Sequence, residues 1–250
     1  MKNHYTVTAL NAFGDISKST YGNGVATAVG HDSAGFIESI LSGENGSYYA
    51  GNVQQVRYTY DGLGNVLTRK DDSITNHYLN ETFQYDAMNR LTRYDVSTDI
   101  TKEAFANARV YRYDRLGNMT YKTGYGDYTY YADKPHAVKS VGSRNYNYDA
   151  VGNMTNRNGD TIYYNPLNKA SILKNKNGKE VRFYYGVGGK RFMKVTDKKQ
   201  TFYLGKGYEE EQEVGTKEVK STVYISVGGK TVGMHVETLD KDYAPNQCKL

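Results

Sequence analysis

Aromatic residues recur at every second position in several short segments of the chain. The segments are Val56–Tyr60, Phe83–Tyr85, Tyr111–Tyr113, Tyr146–Tyr148 and Phe183–Tyr185. A period of two places these side chains on one face of a β-strand. The pattern predicts short β-strands, and we expect Tyr113 and Tyr148 to be largely buried on a tyrosine-rich face.

A four-residue turn motif follows these segments and recurs elsewhere. It has a polar starting residue, any residue, an apolar residue, and then Gly or Asn. The first side chain can bond backbone two residues on, and Gly or Asn tolerates the left-handed conformation that closes a bulged hairpin loop. We call this motif the turn frame. Its clear copies are Asp61–Gly64, Asp86–Asn89, Asp114–Gly117 and Asp149–Gly152, and its weaker copies are Asn11–Gly14, Asp32–Gly35, Asn165–Asn168 and Gly186–Gly189.

The turn frames start on average every 25 residues between positions 11 and 186, which is the period of a repeat array. Isolated hairpins are marginal in water, but stacked ones bury a continuous face. We predict an all-β fold: an array of β-hairpin repeats forming a twisted, curved sheet. It is one repeat region over residues 1–250, clearest over 56–195, with a short helical insertion at residues 100–109.

Tyrosine supplies much of the apolar surface, with 26 Tyr and 26 Gly among 250 residues and no Trp. Each ring has a large apolar face and one hydroxyl that needs a partner. The net charge of +5 is spread along the chain, which predicts no nucleic-acid partner. No stretch has the length and apolarity of a membrane span, and the residues after Met1 do not form a signal peptide.

The chain offers little catalytic or ligand-binding chemistry. Its five His residues include no pair at metal-ligand spacing, and Cys248 is the single Cys. The frame aspartates could form a calcium ladder or a catalytic set, and the tyrosine stripes could bind sugars. Their turn positions and irregular spacing favour a structural role for the aspartates. Sugar-binding aromatic repeats generally use Trp with Tyr, so the absence of Trp favours a role for the tyrosines in the repeat core. We predict that the chain is not an enzyme, and that it has no catalytic residues, no metal site and no cofactor.

Four segments resemble the tyrosine–aspartate (YD) repeats of RHS proteins. They begin at Tyr60-Asp61, Tyr85-Asp86, Tyr113-Asp114 and Tyr148-Asp149, and each continues through a turn frame to Asn or Arg. The candidate site residues are therefore structural repeat positions: Tyr60, Asp61, Gly64, Tyr85, Asp86, Asn89, Tyr113, Asp114, Gly117, Tyr148, Asp149 and Gly152.

The resemblance implies a spiralling β-sheet that closes a hollow shell. In bacterial polymorphic toxins and insecticidal toxin complexes the shell encloses a C-terminal toxic domain, and in teneurins it belongs to an extracellular adhesion protein. The implied partners are the remainder of an RHS shell and an encapsulated polypeptide. The implied location is secreted or at the cell surface, as part of a larger protein.

The chain departs from the toxin-type members at its C-terminal side. It lacks their His-x-Asp-His-Leu-Gly-Ser run and the Asp-Pro-x-Gly-Leu run associated with self-cleavage by aspartates. Residues 224–234 resemble the stretch that precedes these runs, so we interpret residues 196–250 as the start of a truncated core-associated segment. The chain is then expected to be a fragment of a larger polymorphic toxin. The alternatives are an extracellular adhesion module that binds a glycan or protein, and a non-functional remnant of a longer toxin gene.

Overall fold

The structure, a computed structural model, describes residues 4–74, 77–98 and 108–240. The chain divides into two compact units, Met1–Tyr128 and Thr129–Leu250. The predicted all-β fold class is confirmed, because the described residues form twenty-two β-strands and one 3-10 turn at Val187–Gly189. The helical insertion predicted at residues 100–109 lies outside the described residues except for its last two positions, and Cys248 lies outside them as well.

The strands are short and follow one another along the chain. Those of the first unit are β1 (Tyr5–Leu10), β2 (Ile16–Tyr21), β3 (Ala26–His31), β4 (Ile37–Gly43), β5 (Gln54–Tyr60), β6 (Val66–Ile74), β7 (His77–Tyr85), β8 (Leu91–Thr98), β9 (Arg109–Tyr113) and β10 (Met119–Lys122). β11 (Gly126–Tyr130) crosses the boundary between the units. Those of the second unit are β12 (Val138–Val141), β13 (Arg144–Tyr148), β14 (Met154–Arg157), β15 (Asp160–Tyr164), β16 (Ala170–Lys174), β17 (Glu180–Tyr185), β18 (Arg191–Val195), β19 (Lys199–Tyr203), β20 (Tyr208–Glu213), β21 (Glu218–Val227) and β22 (Lys230–Asp240).

Each unit is an antiparallel meander in which a strand pairs with the strand before it and the strand after it. In the first unit the pairing runs from β1 to β11, and in the second from β12 to β22. Alternate turns of a meander lie at the same edge of the sheet. In the first unit, one such edge holds the turns that start at Asn11, Asp32, Asp61, Asp86 and Asp114. We call it the frame edge.

A β-bulge accompanies the turn frames, as the motif predicts. Tyr60 pairs with Val66, whereas the preceding Thr59 pairs with Thr68, so Leu67 is an extra residue on β6. The same shift precedes Tyr85, Tyr148, Tyr164 and Tyr185. A bulge bends the strand and increases its twist. The bulges therefore set the direction of each tyrosine at the end of its strand.

The two faces of the sheet differ in composition and in burial. On β5, Val56 is buried and Tyr58 and Tyr60 are half-buried, whereas Arg57 and Thr59 on the other face are exposed. The buried apolar side chains of the described residues are few: Ala26, Ala28, Val56, Val141, Ile162 and Val219. Tyr113 and Tyr148 are half-buried, less than the sequence predicts. The described residues cover this face only in part.

A loop of the first unit, residues 44–53, lies against β1 and β2, where the Lys18 ammonium is near the rings of Tyr48 and Tyr49. On β3, Ala26 is fully buried and Ala28 nearly so. At Gly43, a Cβ atom would lie 2.3 Å from the carbonyl oxygen of Ser47, so no larger residue fits there. The hydroxyl of Tyr48 is within hydrogen-bonding distance of Thr20 Oγ1, at 3.1 Å, and fixes the loop to β2.

Candidate functional site

Each turn frame is closed by hydrogen bonds that converge on its first residue. At Asp114, carboxylate Oδ1 accepts from the backbone N–H groups of Leu116 and Asn118, both at 2.9 Å. The backbone N–H of Asp114 donates to the carbonyl of Asn118, and the N–H of Gly117 donates to the carbonyl of Asp114. The side-chain amide of Asn118 donates to the second oxygen, Oδ2, at 3.0 Å. One carboxylate therefore fixes the whole loop.

The same arrangement recurs in the other predicted frames. Asp61, Asp86 and Asp149 accept the same two backbone bonds through Oδ1. In frames that start with Asn, the amide oxygen takes the same role, as at Asn11 and Asn165. The Asn177-Gly178 pair predicts a hairpin turn here, and the structure shows that Asn175–Gly178 is a further copy of the frame, although its third residue is Asn and not apolar. Asn at the first position with Gly at the fourth was the signal that could have identified it.

The fourth frame residue has the left-handed backbone conformation. The φ angles are 85° at Gly64, 87° at Gly117 and 92° at Gly152. Asn89 takes the same place with a φ of 58°. Gly adopts this region without steric cost, and Asn is the other residue that adopts it most readily.

Five of the six tyrosines that directly precede a turn frame bond to the preceding repeat. The hydroxyl of Tyr60 donates to the carbonyl of Ile37 at 2.7 Å, that of Tyr85 to Val66 at 2.9 Å, and that of Tyr113 to Leu91 at 3.0 Å. Each acceptor is the second residue after the preceding turn frame. Tyr164 and Tyr185 make the equivalent bonds in the second unit. We call this series the tyrosine ladder.

Tyr148 has different surroundings from the other frame tyrosines. The segment before it contains the loop that follows Tyr131 and no turn frame. The ring of Tyr131 packs edge-on against that of Tyr148, with centroids 6.2 Å apart. The Tyr131 hydroxyl donates to the carbonyl of Tyr146 at 2.9 Å. At this position a neighbouring ring thus supports the frame tyrosine.

The residue after the frame, its fifth position, joins one turn to the next. Asn65 donates to Asp61 Oδ2 at 2.8 Å and also to the side-chain oxygen of Asn89 at 3.0 Å. Asn153 bridges Asp149 and Asn168 in the same way. The sequence shows Asn or Arg recurring at this position, but which distant residue it meets depends on how the repeats stack.

Arg90 makes the turn-to-turn connection with a charge. Its Nε donates to Asp86 Oδ2 at 2.7 Å, and its Nη1 donates to the carbonyl of Asp114 at 3.3 Å. The guanidinium lies over the ring of Tyr113, 4.6 Å from the centroid. Such a cation–π contact contributes about 0.5–1 kcal/mol at a partly exposed site. Arg90 therefore binds its own frame and the next one together.

These bonds keep the frame carboxylates ionised. The side-chain amide of Asn65 is the main cause of the lowered pKa of Asp61, and the Arg90 side chain is the main cause at Asp86. At Asp114 and Asp149, burial is the largest single influence and opposes the change, but the hydrogen bonds to each carboxylate together lower its pKa. Carboxylates with this environment are suited to accepting hydrogen bonds and not to transferring protons near neutral pH.

A buried carboxylate lies on the tyrosine face of the first unit, and sequence reasoning missed it. Glu81 on β7 is 3% exposed, and it forms an ion pair with Arg69 on β6. The hydroxyl of Tyr94 on β8 donates to Glu81 Oε1 at 2.6 Å. Burial, and then this bond, raise the pKa of Tyr94 to about 12. Nothing in the local sequence distinguishes Glu81 from an exposed strand residue.

The side chains of the frames are engaged in hydrogen bonds within and between the repeats. Within the part of the chain that the structure describes, no three His, Cys, Asp or Glu side chains gather as a metal site would require. Among those same residues, no helix is long and apolar enough to cross a membrane. Each frame aspartate accepts backbone hydrogen bonds from its own loop through Oδ1. That the frame residues are purely structural is a prediction tested by the substitutions described below.

A sheet of tyrosine–aspartate hairpins in which each repeat bonds to the one before it defines a repeat protein with the RHS-type fold. No protein-family model and no curated protein matches the chain. Solved structures of Tc toxins do share the fold. The chain is similar to a crystal structure of TcdB2-TccC3-TEV, with a TM-score of 0.69 and 15% identity over 97% of this chain. It is also similar to the Tc holotoxin pore of Photorhabdus luminescens with a mutant TccC3, with a TM-score of 0.68 and 16% identity over 90% of this chain.

These similarities cover a small part of the larger proteins. The chain spans 14% of the TcdB2-TccC3-TEV chain and 13% of the holotoxin chain. At 15–16% identity the likeness shows the fold alone. The predicted resemblance to RHS proteins is confirmed at that level.

Proposed function

We propose that this chain is a structural segment of an RHS-type β-shell that encloses another polypeptide. The observation that carries the proposal is the similarity of nearly the whole chain to TcdB2-TccC3 structures, where it corresponds to about one seventh of a much longer chain. A segment of that size, made of two antiparallel meanders, is suited to being one part of a wall. We propose further that this shell belongs to a polymorphic toxin.

The side-chain bonds between successive turns hold neighbouring repeats together, as a wall made of one sheet requires. The tyrosine ladder and the fifth-position residues join each repeat to its neighbour through side chains, in addition to the strand pairing. Repeat arrays gain stability from such nearest-neighbour interfaces. The sheet can therefore extend as a single layer with little buried apolar core.

We infer that the chain's partners are neighbouring shell segments and an enclosed cargo, and that the assembly acts outside the cell that makes it. In this role the chain is not a catalyst, and the enclosed polypeptide carries any toxic activity. The half-buried aromatic face would be one wall surface and the polar face with Arg57 and Thr59 the other.

Protease protection tests the shell proposal. Native assemblies containing this chain would be isolated from the source cells through an antibody against it, and imaged by electron microscopy. We expect hollow particles, and we expect a co-purified polypeptide that resists protease until the particles are denatured. A particle-free chain whose co-purified polypeptides are digested at once would contradict the proposal. A hydrolytic activity of the purified chain itself would contradict the non-catalytic role.

A further inference from the structure

A shallow groove lies at the frame edge of the first unit, between the frames of Asp32 and Asp61, with a volume of about 320 Å³. Its apolar floor is aromatic. The ring of Phe36 stacks on that of Tyr60 with centroids 5.1 Å apart, and Tyr60 lies 6.4 Å from Tyr58. Phe36 is 40% exposed. Aromatic faces carry partial negative charge and attract cations.

The Asp32 frame differs from the four other aspartate frames of the chain. Asp32 Oδ1 accepts from the backbone N–H groups of Ala34 and Phe36, as expected. In the other aspartate frames, the fifth-position side chain also binds Oδ2: Asn65 at Asp61, Arg90 at Asp86, Asn118 at Asp114 and Asn153 at Asp149. Phe36 has no polar group to do this. Among the described residues, Asp32 Oδ2 therefore has no hydrogen-bond or ion-pair partner.

A second carboxylate lines the same groove. Glu38 follows Phe36 by two residues on β4 and is exposed. Within the described ranges it has no ion pair or side-chain hydrogen bond either. The groove thus combines an aromatic floor with two uncompensated negative charges, which is the complement of a flat cation.

Another frame of the same chain shows which side chain binds an aspartate and an aromatic ring together. At the next frame but one, the Arg90 guanidinium binds Asp86 Oδ2 and lies 4.6 Å from the ring centroid of Tyr113. In the Asp32 frame, Phe36 stacks on the ring of the following tyrosine, Tyr60, as Arg90 stacks on that of Tyr113. The aspartate and the aromatic surface remain, but the guanidinium is not supplied by the chain's described residues.

We propose that this groove binds an arginine side chain of another polypeptide, with its guanidinium over Phe36 and paired with Asp32 and Glu38. Arginine suits the site better than lysine, because its planar guanidinium stacks on aromatic rings and binds carboxylates through two N–H groups. The proposal goes beyond the shell function and does not depend on it.

The experiment titrates the intact, isotope-labelled chain with a blocked Gly-Arg-Gly peptide and follows the backbone amides of Ala34, Glu38 and Gly62 by NMR. The same peptide with neutral citrulline in place of arginine removes the charge but keeps the shape. We expect saturable shifts with arginine, weaker binding of a lysine peptide, and loss of saturable binding with citrulline. Equal binding of the citrulline peptide, tighter binding of the lysine peptide, or no saturable shift with arginine would overturn the proposal.

Two variants test whether arginine binding depends on this groove and not on exposed carboxylates in general. Asp32→Asn keeps the loop, because Asn starts the frames at Asn11 and Asn165, and it should weaken arginine binding about tenfold. Phe36→Asn supplies the missing fifth-position amide and removes the aromatic floor, so binding should fall by about tenfold or more. Asp127→Asn, an exposed carboxylate on β11, is the matched control and should change nothing. Undiminished binding in both groove variants, or an equal loss in the control, would refute the assignment.

Discussion

At the scale of single residues, Tyr113 makes two separable contributions. Its hydroxyl donates to the carbonyl of Leu91, and its half-buried ring packs on the sheet face under Arg90. A net hydrogen bond contributes about 1 kcal/mol, and about half of a 150–250 Å² ring buried at roughly 25 cal/mol per Å² contributes about 2–3 kcal/mol. The ring is therefore the larger contribution.

We predict that Tyr113→Phe lowers the free energy of unfolding by about 1 kcal/mol and that Tyr113→Ala lowers it by about 3 kcal/mol. Urea unfolding followed by circular dichroism measures both. His136→Ala, in a loop of the second unit, is the control and should have little effect. If both tyrosine variants were as stable as the parent chain, the structural role of the frame tyrosines would be wrong.

The fourth frame residue is constrained by its backbone and not by space. Gly117 has a φ of 87°, and a Cβ atom there would meet nothing within 4 Å. Strain of about 1–3 kcal/mol is expected when a β-branched residue is forced into this region. Asn89 shows that Asn tolerates the same place.

We therefore predict that Gly117→Val destabilises the chain by about 1–3 kcal/mol and that Gly117→Asn costs less. Gly62→Ala is the matched control, because Gly62 also lies in a turn frame with open space around it but does not have a left-handed φ. Thermal unfolding would rank the three. Equal loss in Gly62→Ala and Gly117→Val would mean that φ is not the cause.

At the scale of elements, three neighbouring strands are joined by Arg69, Glu81 and Tyr94. A one-residue slip of β7 would move Glu81 to the opposite face and separate it from both partners. Removing one member of a buried pair leaves the other charge uncompensated, whereas replacing both with apolar residues is often neutral. The cluster therefore favours one register of β6, β7 and β8.

We predict that Arg69→Met lowers the free energy of unfolding by about 2 kcal/mol, less than for a fully buried pair because Arg69 is half exposed. The double variant Arg69→Met with Glu81→Leu should recover most of this loss. Chemical denaturation of both single variants and the double variant gives the free energies of unfolding for a double-mutant cycle. If the double variant lost at least as much free energy of unfolding as the two single variants together, an uncompensated charge would not be the cause of the loss.

The same cluster gives a pH dependence at alkaline pH. The folded-state pKa of Tyr94 is about 12, raised from 10.0, so folding favours the protonated hydroxyl. Its contribution is complete below pH 10 and is lost as the pH rises from about 10 towards 12. We predict that Tyr94→Phe makes the urea midpoint fall less steeply over this range. An identical pH profile in parent and variant would exclude Tyr94 as a source of the dependence.

At the scale of the whole molecule, each unit has a terminal strand with one partner. Among the described residues, β1 pairs with β2 alone and β22 pairs with β21 alone. β22 is eleven residues long, with Met234 67% and Val236 44% exposed. Long apolar edge strands are templates for pairing with other chains.

We predict that the purified chain associates in a concentration-dependent way and that Met234→Lys with Val236→Lys weakens this association, because edge lysines oppose strand addition. Val214→Lys, at an exposed turn of the second unit, adds one positive charge away from β22, where the double variant adds two, and is the control. Sedimentation velocity measures the change. A parent chain that stays monomeric at all concentrations would show that the edges need no partner.

The sequence by itself determined the hairpins, their turn frames and the left-handed fourth residues. These features depend on bonds between residues at most four positions apart, so the side chain of Asp114 and the missing Cβ of Gly117 suffice to specify them. The bulged loops follow for the same reason. The free oxygen of Asp32 was also visible in principle, since Phe36 stands where the clear copies have Asn or Arg.

Only the tertiary structure decided which repeats meet through side chains and how far each is buried. The acceptor of the Tyr113 hydroxyl lies 22 residues away, and the partners of Glu81 lie on two other strands. The bond between Tyr48 and Thr20 and the half-burial of the tyrosine face likewise depend on how strands stack. The local sequence pattern cannot specify these contacts, because the same alternating sequence can pair with any neighbouring strand that places a carbonyl or a ring opposite the tyrosine.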